Sequence, residues 1–235
     1  MPAMHDFLFR AVLLLVPMIL SLTVHEYAHA FVADRLGDDT PRLQGRLTLD
    51  PRPHIHPLGT LLLPLLILAF GSSTFFAWAR PVQVNPLRVR RTLTMATGQL
   101  LIALAGPLAN LLLVLLTVAV FVTGQTLTGG SLPAEAAFAL GSLAWVNVVL
   151  AVFNMLPVPP LDGSRLLFWL LPASWARLEQ ALTTAAPVVL MVLILQGSWL
   201  LGPLLELAVA GLDLLTGGHT SVLIQGMLSR TAPST

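Results

Sequence analysis

The sequence predicts an all-α polytopic membrane protein. It should hold a three-helix core, a re-entrant unit of one helix and one extended segment, and C-terminal helices, with about five to six membrane segments in all. Three observations lead there. Of 235 residues, 56% are hydrophobic and only 10% are charged, whereas soluble domains carry about a quarter charged residues. Mean hydropathy is +0.84. Apolar runs long enough to span a bilayer, roughly 20 residues each, alternate with breaks rich in Pro, Gly and Arg. The formal net charge is +1, which points to no strongly charged partner and gives no sign of nucleic-acid binding. There is no Cys, so disulfides, Fe–S clusters and thiolate metal ligands are excluded. Any metal must be held by His, Asp or Glu.

The first span is expected over residues 7–36, stopped by Gly37 and the polar run Asp38-Asp39-Thr40-Pro41. Its start resembles a signal peptide, with Arg10, an apolar stretch over 11–22 and Ala28-His29-Ala30 as a cleavage-like site. The basic region is a single Arg beside Asp6, and cleavage there would cut through a polar motif described below, so an uncleaved span is expected. Residues 41–57 hold three Arg, Asp50 and four prolines and should be extended or turn structure. Residues 58–70 are apolar but short for a full span. Residues 75–84 read as extended, with Pro81 and Pro86 as limits. Arg80, Arg88, Arg90 and Arg91 lie on one side of this unit, Arg42, Arg46 and Arg52 on the other. Keeping both clusters on the cytoplasmic face needs a re-entrant unit, helix in and extended segment out. Irregular backbone at that depth is tolerated only against protein or a water-filled cavity, which sets residues 72–84 beside a polar cavity.

A further span is expected over 93–122, a turn-rich loop over 124–133 and another span over 134–156. The last ends in Asn154-Met155-Leu156-Pro157-Val158-Pro159-Pro160-Leu161-Asp162-Gly163, where the prolines break the helix. Residues 164–181, with Trp169, Trp175 and Arg177, read as an interfacial segment. One long or two shorter helices should occupy 183–216, divided at Gly202-Pro203, with a loosely ordered tail from Gly217. The whole chain, 1–235, is expected to form a single domain with its core over about residues 7–170.

The first span ends in His25-Glu26-Tyr27-Ala28-His29. On a helix, H-E-x-x-H places two imidazoles on one face, where they can share a metal, and the intervening Glu can serve as general base on a metal-bound water. The plainer reading is two helix-end histidines with a local Glu. Ionisable groups inside an apolar run are costly, however, and by default suggest function. A catalytic zinc takes three protein ligands and keeps one position open, so a third ligand must come from elsewhere. Asp162, His54, His56, Glu135, Glu206 and Asp213 are the candidates. If the first span ends on the cytoplasmic side, the Asn110 span runs outward and the Asn154 span returns. Asp162 then reaches the same side and depth as His25 and His29. Glu135 and Glu206 read as boundary charges, Asp213 as solvated, and His54 and His56 as loop hydrogen-bonding residues. The plain reading of Asp162-Gly163 is a turn. Asn110 and Asn147 are at least as well explained as interhelical structural amides.

These residues resemble the site-2 protease family of intramembrane metalloproteases, in the compact branch without a PDZ domain. The resemblance rests on His25 to His29, on Ala105-Gly106-Pro107-Leu108-Ala109-Asn110, on Asn154 to Gly163, and on the stretches 50–60 and 78–86. It implies zinc, one per chain, bound by His25, His29 and Asp162, with Glu26 as catalytic base and Asn154 helping with substrate or oxyanion. It further implies a zinc-dependent endopeptidase in the cell membrane, its active site nearer the cytoplasmic face, with the lipid bilayer and a transmembrane or membrane-proximal protein substrate as partners. The chain departs from the branch's usual pattern at His56, where Asp is typical, and at Asp50, where Asn is common. Residues 75–84 could pair with an unwound substrate by strand addition. Two other classes remain. A catalytically silent membrane regulator or chaperone would have no use for Glu26. A metal transporter usually shows paired broken helices in repeated halves, and no repeat is visible.

Overall fold

The computed structural model describes residues 2–70, 77–90, 92–195 and 197–231. Its elements are α1 (Pro2–Arg35), α2 (Thr40–Leu43), a π-helical turn (Pro57–Leu62) running into α3 (Leu63–Ala69), α4 (Met95–Leu127), α5 (Ala134–Asn154), α6 (Gly163–Leu170), α7 (Ala176–Leu195), α8 (Gly197–Thr216) and α9 (His219–Thr231). No strand occurs among the described residues. The protein is all-helical and multi-pass. By length and composition, four helical stretches could cross a membrane: Ala11–Arg35, Met95–Leu127, Ala134–Asn154 and Trp199–Thr216. Pro57–Ala69 is a shorter apolar helix.

The three-helix core is α1, α4 and α5, which pack on one another. In α1, Leu8, Val12, Val16 and Leu20 are exposed; spaced four apart, they form one apolar face suited to lipid. The opposite face buries Met18, Leu22, His25, Glu26, His29 and Ala33. Met18 and Leu22 meet Val146 and Leu150 of α5 and Ala79 of the extended segment. At the far end, Val114, Val118 and Phe121 of α4 pack with Ala144 and Val148 of α5, Leu212 of α8, and Leu223 and Ile224 of α9.

Residues 77–85 have no regular secondary structure, as expected of the returning segment. Residues 71–76, which include the expected start of that segment, lie outside the described residues. Four backbone contacts hold the segment to the rest of the protein. Trp78 N donates to Gly59 O (3.3 Å), Arg80 N to His54 O (2.8 Å), Val82 N to Glu26 Oε2 (2.8 Å) and Asn85 N to Asp38 Oδ2 (2.5 Å). Thr60 Oγ1 also donates to Trp78 O, and Arg46 to Arg80 O.

Several boundaries differ from expectation. Within 41–57, a short helix, α2, forms with Pro41 in its first turn, where proline costs no helical hydrogen bond. The α4 helix runs on to Leu127, because Gly124 is tolerated inside a helix. Pro203 lies within α8, so Gly202-Pro203 does not divide the C-terminal helices; proline inside a membrane helix loses one hydrogen bond without having to end it. The tail is ordered as α9. Gly217 and Gly218 break the chain at positive φ, and Leu223, Ile224 and Met227 are then buried, which supplies the packing energy a free tail would lack.

Candidate metal centre and active site

His25 and His29 lie one helical turn apart on the buried face of α1. His25 Nδ1 faces Asn110 Oδ1 at 2.6 Å, and His29 Nδ1 faces the Ile102 carbonyl at 2.7 Å. Both partners are acceptors, so each Nδ1 donates, and each ring in its neutral form presents a bare lone pair at Nε2. The two Nε2 atoms are 3.0 Å apart.

Asp162 enters from the break after α5. That loop closes so tightly that a Cβ at Gly163 would stand 2.1 Å from the Met155 carbonyl; only glycine allows the approach. Asp162 occupies the N-cap position of α6, yet its side chain makes no cap hydrogen bond. N-cap Asp normally accepts from the helix backbone. Here Oδ2 points instead to His25 Nε2 and His29 Nε2, at 3.3 Å from each. It is buried without a hydrogen-bond partner.

Two lone pairs and a carboxylate oxygen thus converge, an arrangement that repels itself unless a cation joins it. Ligand atoms of a tetrahedral zinc, with Zn–N near 2.0–2.1 Å, stand about 3.4 Å from one another. The observed separations of 3.0, 3.3 and 3.3 Å match that scale. Space is kept by Gly106 of α4, where a Cβ would lie 2.5 Å from both His29 Nε2 and His25 Cε1. Three ligands from two imidazoles and one carboxylate also suit a catalytic site with one open position. The donor set fits zinc.

Glu26 opens onto the same cavity of about 560 Å³, which is also lined by Trp78, Val82, Gln99, Asn154 and Arg165. Glu26 Oε2 accepts from Val82 N. The structure therefore brings His25, Glu26, His29, Asn154 and Asp162 to one cavity. The Asn154 amide donates back to Leu150 O at 2.9 Å.

The other candidate ligands are elsewhere. His54 is buried and bonds Thr48 O through Nε2 at 3.0 Å. His56 Nδ1 accepts from Gly59 N at 3.2 Å, capping the π-helical turn as an Asp carboxylate would. Asp50 Oδ1 accepts from Arg52 N, a turn bond that Asn could make equally well. Asp213 is not simply solvated, since Oδ1 accepts from Ser221 N and ties α8 to α9. Outside the spans, burial and neighbouring Arg80 hold the Arg46 guanidinium pKa below its ordinary value, with Glu26 opposing.

Three contributors escaped the sequence reading. Gly106 shapes the space, the Val82 amide holds Glu26, and Asn110 orients His25. Gly106 and Asn110 both belong to the stretch from Ala105 to Asn110, but only tertiary contact shows what each one meets.

Comparisons with known proteins point to zinc metalloproteases. The family model described as "Peptidase family M50" matches residues 126–196. The protein named "Putative zinc metalloprotease YwhC" of Bacillus subtilis (strain 168) is 37% identical over 201 residues, covering 82% of this chain and 85% of that protein. Rip2 of Mycolicibacterium smegmatis, named in the same terms, is 36% identical over 154 residues, 65% of this chain and 54% of its own length. A third relative, MJ0611 of Methanocaldococcus jannaschii, is 42% identical over 76 residues, 32% of this chain and 36% of its own. No solved structure matches the chain. With a relative of that identity matched over most of both chains, this protein belongs to Peptidase family M50, the site-2 protease family, and is a zinc metalloprotease of the membrane.

Proposed function

We propose that this metalloprotease is an intramembrane endopeptidase acting on membrane-spanning or membrane-proximal protein substrates. Its zinc ligands are His25, His29 and Asp162, its general base is Glu26, and Asn154 assists the substrate or oxyanion. The observation that carries the reading is the placement of these groups. The buried face of a membrane-length helix, α1, holds His25, Glu26 and His29 against a cavity, where ionisable groups are costly without a use.

Zinc, when bound, supplies Lewis acidity and lowers the pKa of coordinated water towards about 7. Glu26 Oε2 is held by the Val82 amide, which leaves Oε1 to take the proton of the attacking water and return it to the leaving amine. Asn154 lines the cavity, and turning its amide from Leu150 O would let it donate to a developing oxyanion.

A helical substrate hides its carbonyls, so cleavage needs an unwound peptide. The extended segment supports that step. Its even residues, 78, 80 and 82, bond the protein, while the backbone groups of Ala79 and Gln83 have no partner among the described residues. One edge is thus left for strand addition by substrate. The Arg residues at 35, 42, 46, 52, 80, 88 and 90 support a cytoplasmic placement of this end by the positive-inside rule, with the chain 1–235 acting as one domain in the cell membrane.

The test is cleavage of a model membrane substrate by zinc-loaded wild type and Glu26→Gln. Proteolysis lost with zinc retained supports the reading. Full metal-dependent cleavage by Glu26→Gln, or metal transport without proteolysis, overturns it.

A further inference from the structure

Three spans contribute one buried row of polar groups. Ser21 of α1, Asn147 of α5 and Asn110 of α4 are each 0% exposed, and the row ends on the His25 ring. Its polarity can be followed from a fixed point. Ser21 Oγ donates to the Pro17 carbonyl at 2.7 Å. That carbonyl only accepts, so the hydroxyl proton is committed and Ser21 offers lone pairs to its other neighbour. One end of the Asn147 amide meets two acceptors, Ser21 Oγ at 2.8 Å and Leu143 O at 2.8 Å. That end must be the NH₂. Asn147 Oδ1 therefore faces Asn110, which must present its own NH₂, at 2.7 Å. The last acceptor, Asn110 Oδ1, faces His25 Nδ1 at 2.6 Å. Reversing either amide would set donor against donor or acceptor against acceptor.

From this row we infer that Ser21 and Asn147 are positioning residues for zinc, acting through Asn110 to set the tautomer of His25. The inference rests on the reading of His25 Nε2 as a zinc ligand. His29 needs no such device, because the Ile102 main-chain carbonyl can only accept. Asn110 is different. Its C=O and NH₂ ends are nearly equal in shape, and alone it could turn either one to His25. With the NH₂ end there, His25 would carry its proton on Nε2, pointing at His29 and Asp162 and blocking a metal. Asn147 Oδ1 at 2.7 Å, with the more distant Ser21 main-chain carbonyl at 3.4 Å, accepts from the NH₂ end and removes that ambiguity, and Ser21 Oγ and Leu143 O hold Asn147. Outer hydrogen bonds that fix a ligand ring in this way govern metal affinity. Amides that serve only as interhelical glue contribute stability and have no reason to end, correctly polarised, on a metal-facing ring.

The test is zinc affinity of the full-length protein in detergent, measured by competition with a chelator. His25→Ala checks the underlying ligand reading; full zinc affinity in that variant overturns the ligand assignment and the relay with it. With His25→Ala impaired, Asn147→Leu is expected to weaken zinc about tenfold or more. Adding Asn110→Asp to Asn147→Leu is expected to restore affinity to within about threefold of wild type, since a carboxylate accepts whichever way it turns. Where Asn147→Leu does not fold, Ser21→Ala takes its place. That change removes one of the two acceptors holding Asn147 and is expected to weaken zinc about threefold, again relieved by Asn110→Asp. Unchanged affinity in the folded Asn147 or Ser21 variant, or a loss that the carboxylate fails to relieve, overturns the relay while leaving the ligand set standing.

Discussion

The Val82 amide donates to Glu26 Oε2 at 2.8 Å, so the carboxylate between the two histidines is tied to a segment that is far away in sequence. Two consequences follow for substitution. A glutamine at position 26 keeps an oxygen that can accept from Val82 N, so the local structure should persist. Proton transfer is lost, and general-base contributions are typically about 10²–10⁴-fold. Glu26→Gln is therefore expected to retain zinc, measured by metal analysis of the purified protein, and to lose cleavage by at least that factor.

Over residues 78–83, the alternation along the extended segment separates scaffold from free edge. Gln83→Pro deletes an N–H that has no partner among the described residues, while Val82→Pro deletes the one that holds Glu26. If substrate adds as a strand, Gln83→Pro should slow cleavage by about three- to tenfold, the scale of one hydrogen bond, with zinc content normal. Cleavage at the wild-type rate in Gln83→Pro would remove position 83 from the pairing edge.

Gly106 stands against both imidazoles. A methyl group there would lie within 2.6 Å of His25 Nε2 and 2.5 Å of His29 Nε2, inside any real contact distance. Neither ring can yield freely, since Asn110 and Ile102 hold their Nδ1 atoms. Gly106→Ala is expected to weaken zinc binding about tenfold or more, as disturbance around a ligand sphere commonly does, in a protein that still extracts and purifies as a folded monodisperse species. Size-exclusion profile and chelator competition together check this.

Removing zinc should cost stability as well as activity. A ligand at 100 times its Kd contributes about 2.7 kcal/mol to the folded state. Chelation is therefore expected to lower the thermal midpoint by several degrees in wild type and by much less in His25→Ala. An identical drop in both would place the stabilising metal away from His25.

The sequence by itself determined the class of the protein and most of its chemistry. A hydropathy that water could not tolerate set the membrane, and the absence of Cys confined any metal to His, Asp and Glu. The spacing of His25 and His29 placed two imidazoles on one face, because helical periodicity is a local property. Asp162 could be named through topology, since alternating spans return it to the same side. Tertiary structure alone decided the rest, because those facts depend on contacts between segments distant in sequence. It turned the Asp162 carboxylate away from its own helix end and onto both histidines. It made Gly106 the space beside them, gave Glu26 its bond to Val82, and gave Asn110 and Asn147 a direction rather than mere adhesion. It also ordered residues 219–231, where weak local signals became a helix once Leu223 and Met227 found a core. An amide or a carboxylate in a sequence has a known set of donors and acceptors; which neighbour each one meets is settled only when the helices pack.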